Sequence, residues 1–121
     1  MPARRFVAKE VSTLLGVLAH PARLLIIEEL GLQECDVKGL AEILQLPSSG
    51  VSQHLALLRA HRLVAERRDG RRVLYRLQRP ELASWLTDGL EFLAESDEDH
   101  GVRRQLVDAA RAHWQGVATD G

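Results

Sequence analysis

The thirty residues from Ser48 to Leu77, SSGVSQHLALLRAHRLVAERRDGRRVLYRL, restrict the fold more than any other part of the chain. In residues 48–61 apolar side chains recur every three or four positions, which is the spacing of an amphipathic helix. Two runs with alternating side chains follow, 63–68 and 71–77, and Asp69-Gly70 separates them. Asp-Gly between two extended segments is a strong signal for a two-residue hairpin turn. The stretch therefore predicts a helix followed directly by a β-hairpin.

Helical patterns fill most of the remaining sequence. Asp36 can cap the next helix upstream, because its carboxylate accepts from free backbone N–H groups. Leu46-Pro47-Ser48 then makes a tight turn. The further predicted helices cover 4–18, 21–30 with Gly31 as its end, 37–45, 81–95 and 102–115. A mainly helical single domain with a small β-hairpin is a winged helix-turn-helix, here with the helix-turn-helix at 37–61 and the wing at 63–77.

Positive charge is concentrated around the hairpin, although the whole chain has a formal net charge of −1. From Arg59 to Arg79 eight arginines face two acidic side chains, a net charge of +6, whereas residues 80–121 have a net charge of −6. A local excess of this size is typical of a surface that binds a polyanion. The plain alternative is a well-solvated charged hairpin without such a partner.

The helix at 48–61 and the basic hairpin together favour double-stranded DNA as the polyanion. A helix fits the major groove, where serine hydroxyls and the amide of Gln53 can reach base edges. Hairpin arginines can contact phosphates, and one of them can enter the minor groove. An aromatic content of only 4% leaves little stacking capacity for single strands. The predicted DNA contacts are Ser48, Ser49, Ser52, Gln53, His54, Arg59, Arg67, Arg68, Arg71, Arg72 and Tyr75.

Other classes of protein fit the sequence less well. The main alternative is a winged-helix module that uses the basic hairpin to hold an acidic protein partner. An enzyme is not predicted, because no acid–base pair, activated nucleophile or phosphate-binding glycine loop occurs at a useful spacing. No apolar run approaches the ~18 residues of a membrane helix, and no signal peptide is recognisable, so we expect a cytoplasmic protein without a membrane partner. Cys35 is the single cysteine, which excludes an internal disulfide framework.

Two segments resemble the ArsR/SmtB family of small dimeric bacterial repressors. LAHPARLLIIEEL, at Leu18–Leu30, is similar to the family's His-Pro-x-Arg-Leu signature in its second helix. The Val-Ser-x-His-Leu element at Val51–Leu55, followed by a Gly-Arg-x-x-x-Tyr wing from Gly70 to Tyr75, is specific to that family. The resemblance covers about residues 5–95. Pro47 stands where many members have the serine cap of the recognition helix, so we expect capping to shift to Ser48.

The resemblance implies a homodimer that recognises an inverted repeat and releases DNA when an inducer binds. The dimerisation helices would lie within 1–18 and 81–115, and the protein would be associated with the bacterial nucleoid through its operator. The implied interface residues are Val7, Val11, Leu14, Leu82, Leu86, Leu90 and Leu93.

The inducer-binding residues known in the family are only partly present in this chain. Arsenic-type members have a Cys-x-Cys pair, but here Gln33 occupies the first position and one thiolate cannot build the three-sulfur site of a soft metalloid. Zinc-type members carry histidines on the fifth helix, where this chain has none. Sulfide-sensing members use a second cysteine on that helix, which is also missing. The inducer, whether metal, metalloid, reactive sulfur or oxidant, stays open, and no cofactor is assigned.

Two weaker sensor candidates remain. Cys35 could react singly with reactive sulfur or an oxidant, although an inert, half-buried residue is the favoured interpretation. A metal ion could bind at the four residues Asp97, Asp99, His100 and His113, but their spacing does not match the family's pattern. For His113, which lies on an apolar helical stripe, an interface position is favoured.

The other histidines have structural explanations. His20 and Arg23 are expected to fix the start of the second helix, and His61 to end the fourth, where its charge suits the helix dipole. His54 either contacts DNA or packs against the third helix.

Overall fold

The computed structural model describes residues 2–94 and 100–114, which form seven helices and one β-hairpin. In chain order the elements are α1 Pro2–Leu18, α2 Pro21–Leu32, α3 Val37–Leu44, α4 Ser48–Ala60, β1 Val64–Asp69, β2 Arg72–Leu77, α5 Glu81–Gly89, α6 Glu91–Ala94 and α7 His100–Trp114. The strands are antiparallel, with Val64 opposite Leu77. The predicted fold, a mainly helical winged helix-turn-helix with a small hairpin, is confirmed.

α2 is the central helix of the fold. It packs against α3, α4, α5, α7 and β2. Ile26 and Ile27 have no exposed surface, and Leu40 of α3 and Leu58 of α4 complete the core beside them. Each fully buried side chain of this kind contributes roughly 1.5–3 kcal/mol to stability. α2 is therefore the scaffold that relates the helix-turn-helix to the C-terminal helices.

The corner between α1 and α2 is built from His20 and Arg23, as the sequence predicts. His20 is the N-cap of α2, and its Nδ1 accepts from the N–H of Ala22 at 3.1 Å. The Arg23 guanidinium donates to the carbonyl of Val17 and so closes the 90° bend between the two helices. No single described helix is long and apolar enough to cross a membrane, and only this bent pair reaches that length and composition together.

The predicted end of the second helix is wrong. α2 continues through Gly31 to Leu32, and Gln33 is its C-cap. A Cβ added to Gly31 would lie 2.6 Å from the Cβ of Ala83, far inside van der Waals contact. Gly31 is therefore explained by the close approach of α2 and α5, and not by helix termination.

The predicted continuous helix over 81–95 is also wrong, because the chain breaks between α5 and α6. Thr87 Oγ1 donates to the carbonyl of Ala83, and the N–H of Leu90 donates to the carbonyl of Thr87, only three residues back. Back-bonding by threonine and a following Gly89 both weaken regular helix. After the break, Glu91 pairs with arginines of α7 and joins the last two helices.

Candidate nucleic-acid interface

α3 and α4 meet at a turn that fixes the direction of the second helix. Gln45 adopts a left-handed conformation with φ of 55°, and the N–H of Leu46 donates to the carbonyl of Ala41 at 3.0 Å. Pro47 follows in an extended conformation and is the N-cap of α4. This turn lets one edge of α4 pack on α2 and α3 while the other faces solvent.

α4 separates apolar and polar side chains in the predicted way. Val51, Leu55 and Leu58 are buried. The short polar side chains predicted to meet DNA are all exposed, namely Ser48, Ser49, Ser52 and Gln53. Their size and their donor and acceptor groups suit base edges in a major groove.

The predicted serine cap of α4 is wrong. Ser48 is already the first helical residue, and Pro47 at the cap position makes no side-chain hydrogen bond. Because a proline side chain offers no acceptor, the first N–H groups of α4 lack the usual side-chain partner. Such N–H groups and the positive end of the helix dipole favour an anion.

The hairpin turn lies one residue later than predicted. Asp69 pairs with Arg72 at the end of the ladder, so the turn residues are Gly70 and Arg71. Gly70 has a φ of 65°, which glycine adopts without steric cost and which a two-residue hairpin loop requires at its first position. The later turn puts the exposed Arg71 at the tip of the wing.

Three of the arginines predicted to contact DNA form ion pairs within the chain. The pairs are Arg59–Glu66 at 3.2 Å, Arg67–Glu34 at 2.9 Å and Arg72–Asp36 at 3.1 Å. Arg68 and Arg71 are exposed and have no ion-pair partner within residues 2–94 and 100–114. The wing thus combines cations that are free with cations that an acidic partner already holds.

The loop between α2 and α3 is tied to the wing. Cys35 and Tyr75 exchange two backbone hydrogen bonds, at 3.2 and 2.8 Å. Asp36 accepts from the N–H of Gly39 at 2.7 Å, and this bond, followed by the one from Arg72, holds the pKa of the Asp36 carboxyl below its usual value. Tyr75, predicted to contact DNA, is half-buried and packs against the core. The wing is therefore held to the loop between α2 and α3 by both backbone hydrogen bonds and ion pairs.

His54, for which the sequence left DNA contact and packing against the third helix open, packs against the start of α2. Its ring centroid lies 4.5 Å from that of His20, and its Nδ1 lies 3.4 Å from Nη1 of Arg23. Burial, followed by the charges of His20 and Arg23, lowers the pKa of His54. Because arginine can only donate, Nδ1 accepts, which assigns the ring proton to Nε2. The start of α2 thereby contacts a residue of α4 directly.

Cys35, the candidate sensor, lies in an environment that suppresses its reactivity. The residue is 6% exposed. Burial, followed by the charges of Glu29 and Asp36, raises the pKa of the thiol to about 11. Because the thiolate is the reactive form, a thiol with this pKa reacts slowly at neutral pH.

Of the four proposed metal ligands of the C-terminal region, His113 is the one whose side chain lies within the described residues. Asp97 and Asp99 lie outside those residues, as does the side chain of His100. His113 instead contacts α2, where its Nε2 lies 2.9 Å from Oε1 of Glu28. Sequence reasoning missed this contact, since its partners are far apart in the chain. The available signal was the pair Glu28-Glu29, which interrupts the apolar run that begins at Leu24.

The predicted dimer-interface residues lie on or beside an uncovered apolar surface. Val7, Val11 and Leu93 are exposed, and Leu14, Leu82, Leu86 and Leu90 are half-buried. Three exposed side chains outside that set line the same surface, namely Leu15, Trp85 and Phe92, and Phe6 is a further exposed apolar residue of α1. Of α1, only Val17 and Leu18 are buried.

The chain is similar to several bacterial transcription regulators. Residues 20–66 match a family model described as bacterial regulatory protein, arsR family. A transcriptional repressor SmtB homolog from Synechocystis is 36% identical over 90 residues, 74% of this chain and 68% of that protein. An HTH-type transcriptional repressor SmtB from Mycobacterium tuberculosis is 36% identical over 94 residues, 78% of this chain and 70% of that protein. The crystal structure of NolR from Sinorhizobium fredii has a TM-score of 0.68 at 34% identity and covers 76% of this chain and 92% of its own.

Proposed function

Because the chain belongs to the ArsR family of DNA-binding transcriptional regulators, we propose that it is a homodimeric repressor of an inverted-repeat operator, released from DNA by an inducer. The observation that supports this proposal is that two surfaces suited to DNA are held by the same hydrophobic core. The exposed polar face of α4 and the arginine-rich wing are fixed to one core, next to each other in the chain. One part suits base edges and the other suits phosphates.

The roles within the interface differ by residue chemistry. We assign base reading to Ser52 and Gln53, since Gln can bind adenine through two hydrogen bonds. Ser48 and the free N–H groups of the first turn of α4 would hold a phosphate. The wing arginines would contact phosphates of the neighbouring DNA backbone, and Arg71 would reach furthest because it lies at the tip of the wing.

A second copy of the chain is the proposed cover for the apolar surface of α1, α5 and α6. Most helical stability in proteins comes from packing of an apolar face, so α1 needs a partner for most of its length. Exposed apolar patches of this kind mark interfaces. Two copies would present two α4 helices to half-sites about one helical turn apart. A DNA-bound repressor of this kind would work in the cytoplasm, at the nucleoid.

The test compares sequence discrimination with overall affinity. Gln53→Ala should reduce the ratio between operator and random-sequence affinity by about 5- to 150-fold, the equivalent of the 1–3 kcal/mol of a bidentate base contact. The double variant Arg71→Ala with Arg72→Ala should weaken binding to both DNAs and lower the salt slope by about 0.9 for each phosphate that the wing no longer neutralises. Arg79→Ala is the matched control, because Arg79 is exposed beyond the other end of β2.

The promoter upstream of the protein's own gene provides the operator fragment. Binding that shows no preference for this fragment over random DNA, at physiological salt, would contradict sequence-specific repression. Retention of an acidic polypeptide by a chain that binds no DNA would favour the interaction module. An unchanged affinity and salt slope in the double wing variant would remove the wing from the mechanism.

A further inference from the structure

Two adjacent glutamates of α2 are buried opposite the last helix. Glu28 and Glu29 are only 3% and 5% exposed. His113 of α7 reaches this pair, and one potential ligand atom from each of the three side chains lies within 4.8 Å of the others. The closest approach is the 2.9 Å between His113 Nε2 and Glu28 Oε1.

Burial of two neighbouring carboxylates is costly unless positive charge compensates them or one of them takes up a proton. The amide of Gln33 donates one hydrogen bond to Glu29, at 3.1 Å, but it carries no charge. His113 supplies at most one positive charge. A divalent cation bound by two carboxylates and a neutral imidazole would leave the cluster with no net charge.

We propose that Glu28, Glu29 and His113 bind a divalent cation of the zinc class and so fasten α7 to α2. An imidazole nitrogen combined with carboxylate oxygens suits borderline ions such as Zn²⁺ better than Mg²⁺ or the soft metalloids. Three protein ligands leave an open position for water, as in other three-ligand zinc sites.

The cluster needs little rearrangement to hold such an ion. With bonds near 2.1 Å, ligand atoms around a tetrahedral Zn²⁺ lie about 3.4 Å apart. The pair formed by His113 and Glu28 already lies within that separation. The side chain of His113 is 58% exposed, so its ring can rotate and an ion can enter from that side.

The cation would also regulate DNA binding, a step that rests on the proposed function. α2 joins the cluster to the DNA-reading helix, because Arg23, about 9 Å along the helix from Glu29, contacts His54 of α4. α7 packs against α6, which lies on the proposed dimer surface. Fastening α7 to α2 therefore acts on both the reading helix and the dimer, and we assign to the bound cation the role of releasing DNA.

The test begins with cation binding in the absence of DNA. Metal-free full-length protein is titrated with Zn²⁺ against a chromophoric chelator, and with Mg²⁺ for comparison. We expect one Zn²⁺ per chain, a higher Tm with Zn²⁺, and at least tenfold weaker binding in Glu28→Gln and in His113→Gln. His61→Gln is the control for an exposed histidine, and His100→Gln for the alternative site that includes Asp97 and Asp99. Thermal melting without metal shows that each variant is folded.

The outcomes separate the site from its effect. No Zn²⁺ binding, or equal binding by wild type and Glu28→Gln, would overturn the cation site, and loss of binding in His100→Gln alone would move it to the C-terminal residues. If Zn²⁺ binds through Glu28 but leaves DNA affinity unchanged, the regulatory role is wrong while the site stands. If metal-free protein binds no DNA at all, the proposed function fails and the site is unaffected.

Discussion

Glu34→Gln should strengthen DNA binding, because it frees a wing cation that the chain holds for itself. Oε2 of Glu34 accepts a hydrogen bond from Nε of Arg67 at 2.9 Å and also lies 2.9 Å from Nη2 of the same guanidinium. A phosphate can take Arg67 only by displacing this carboxylate. Glutamine keeps the size of the side chain and removes the charge that competes with the phosphate.

The exposure of the pair sets the magnitude of the effect. The side chains of Arg67 and Glu34 are 48% and 36% exposed, and an ion pair in such a position is worth about 0.2–1 kcal/mol. Removing this competition corresponds to a 1.4- to 5-fold gain in affinity, by the usual conversion of about 1.4 kcal/mol per tenfold. The gain should decline as salt is raised, since salt screens exposed charges.

Fluorescence anisotropy with a labelled random-sequence duplex at low salt measures this gain without knowledge of the operator. Glu42→Gln is the matched control, because Glu42 is an exposed carboxylate of α3 that forms no ion pair in the described part of the chain. A double-mutant cycle with Arg67→Ala isolates the pair from general charge effects. The reasoning is refuted if Glu34→Gln binds no more tightly than wild type, or if its gain persists in full in the Arg67→Ala background.

Three further predictions follow from burial and from the uncovered surface. Because the pKa of Cys35 is about 11 instead of 9.0, its thiolate fraction at about pH 8 is roughly 100-fold lower than that of an ordinary thiol. Alkylation of Cys35, followed by mass spectrometry, should therefore be slow in the folded chain and fast in urea. Rapid labelling of the folded chain would contradict this prediction. The lowered pKa of His54 means that the folded state binds fewer protons than the unfolded state. The stability that the neutral His54 ring contributes is therefore present above the ordinary pKa of 6.5 and is lost as pH falls through and below that value. His54→Gln, which can still accept from Arg23, should therefore lose less stability between about pH 7.5 and about pH 5.5 in urea titrations than wild type does, and an equal or larger loss would count against the assigned cause. Val11→Glu should convert the proposed dimer to a folded monomer in analytical ultracentrifugation, whereas Lys9→Glu on the same helix should not; a dimeric Val11→Glu variant would exclude this face as the interface.

Much of the fold follows from local sequence. Asp36 begins α3 and His20 begins α2, because a side-chain acceptor at a helix start acts within its own turn. Gly70 produces the hairpin, since a left-handed residue is needed there. The exposed polar face of α4 follows from helical spacing alone. These features depend on residues a few positions apart, and for that reason they can be predicted without knowing the rest of the structure.

The misplaced element ends have causes that lie partly outside the local pattern. Gly31 has the residue type of a helix end, yet its missing side chain makes room for Ala83 of α5. The break after Gly89 occurs in a segment whose apolar spacing is continuous. Here the hydrogen bonding of Thr87 and the pairing of Glu91 with α7 outweigh that spacing.

Only the tertiary structure decided which charged groups meet. Sequence shows an excess of arginine around the wing, but the pairing of Arg67 with Glu34 joins residues that are far apart in the chain. The same holds for His113, which the helical pattern placed at an interface and which the fold brings to Glu28. Ionic contacts depend on positions in space, and the packing of α2 against its neighbours sets those positions. The sequence alone therefore determined the polar face of α4 and the position of the wing, while the folded chain decided which arginines are held in ion pairs and that His113 meets Glu28.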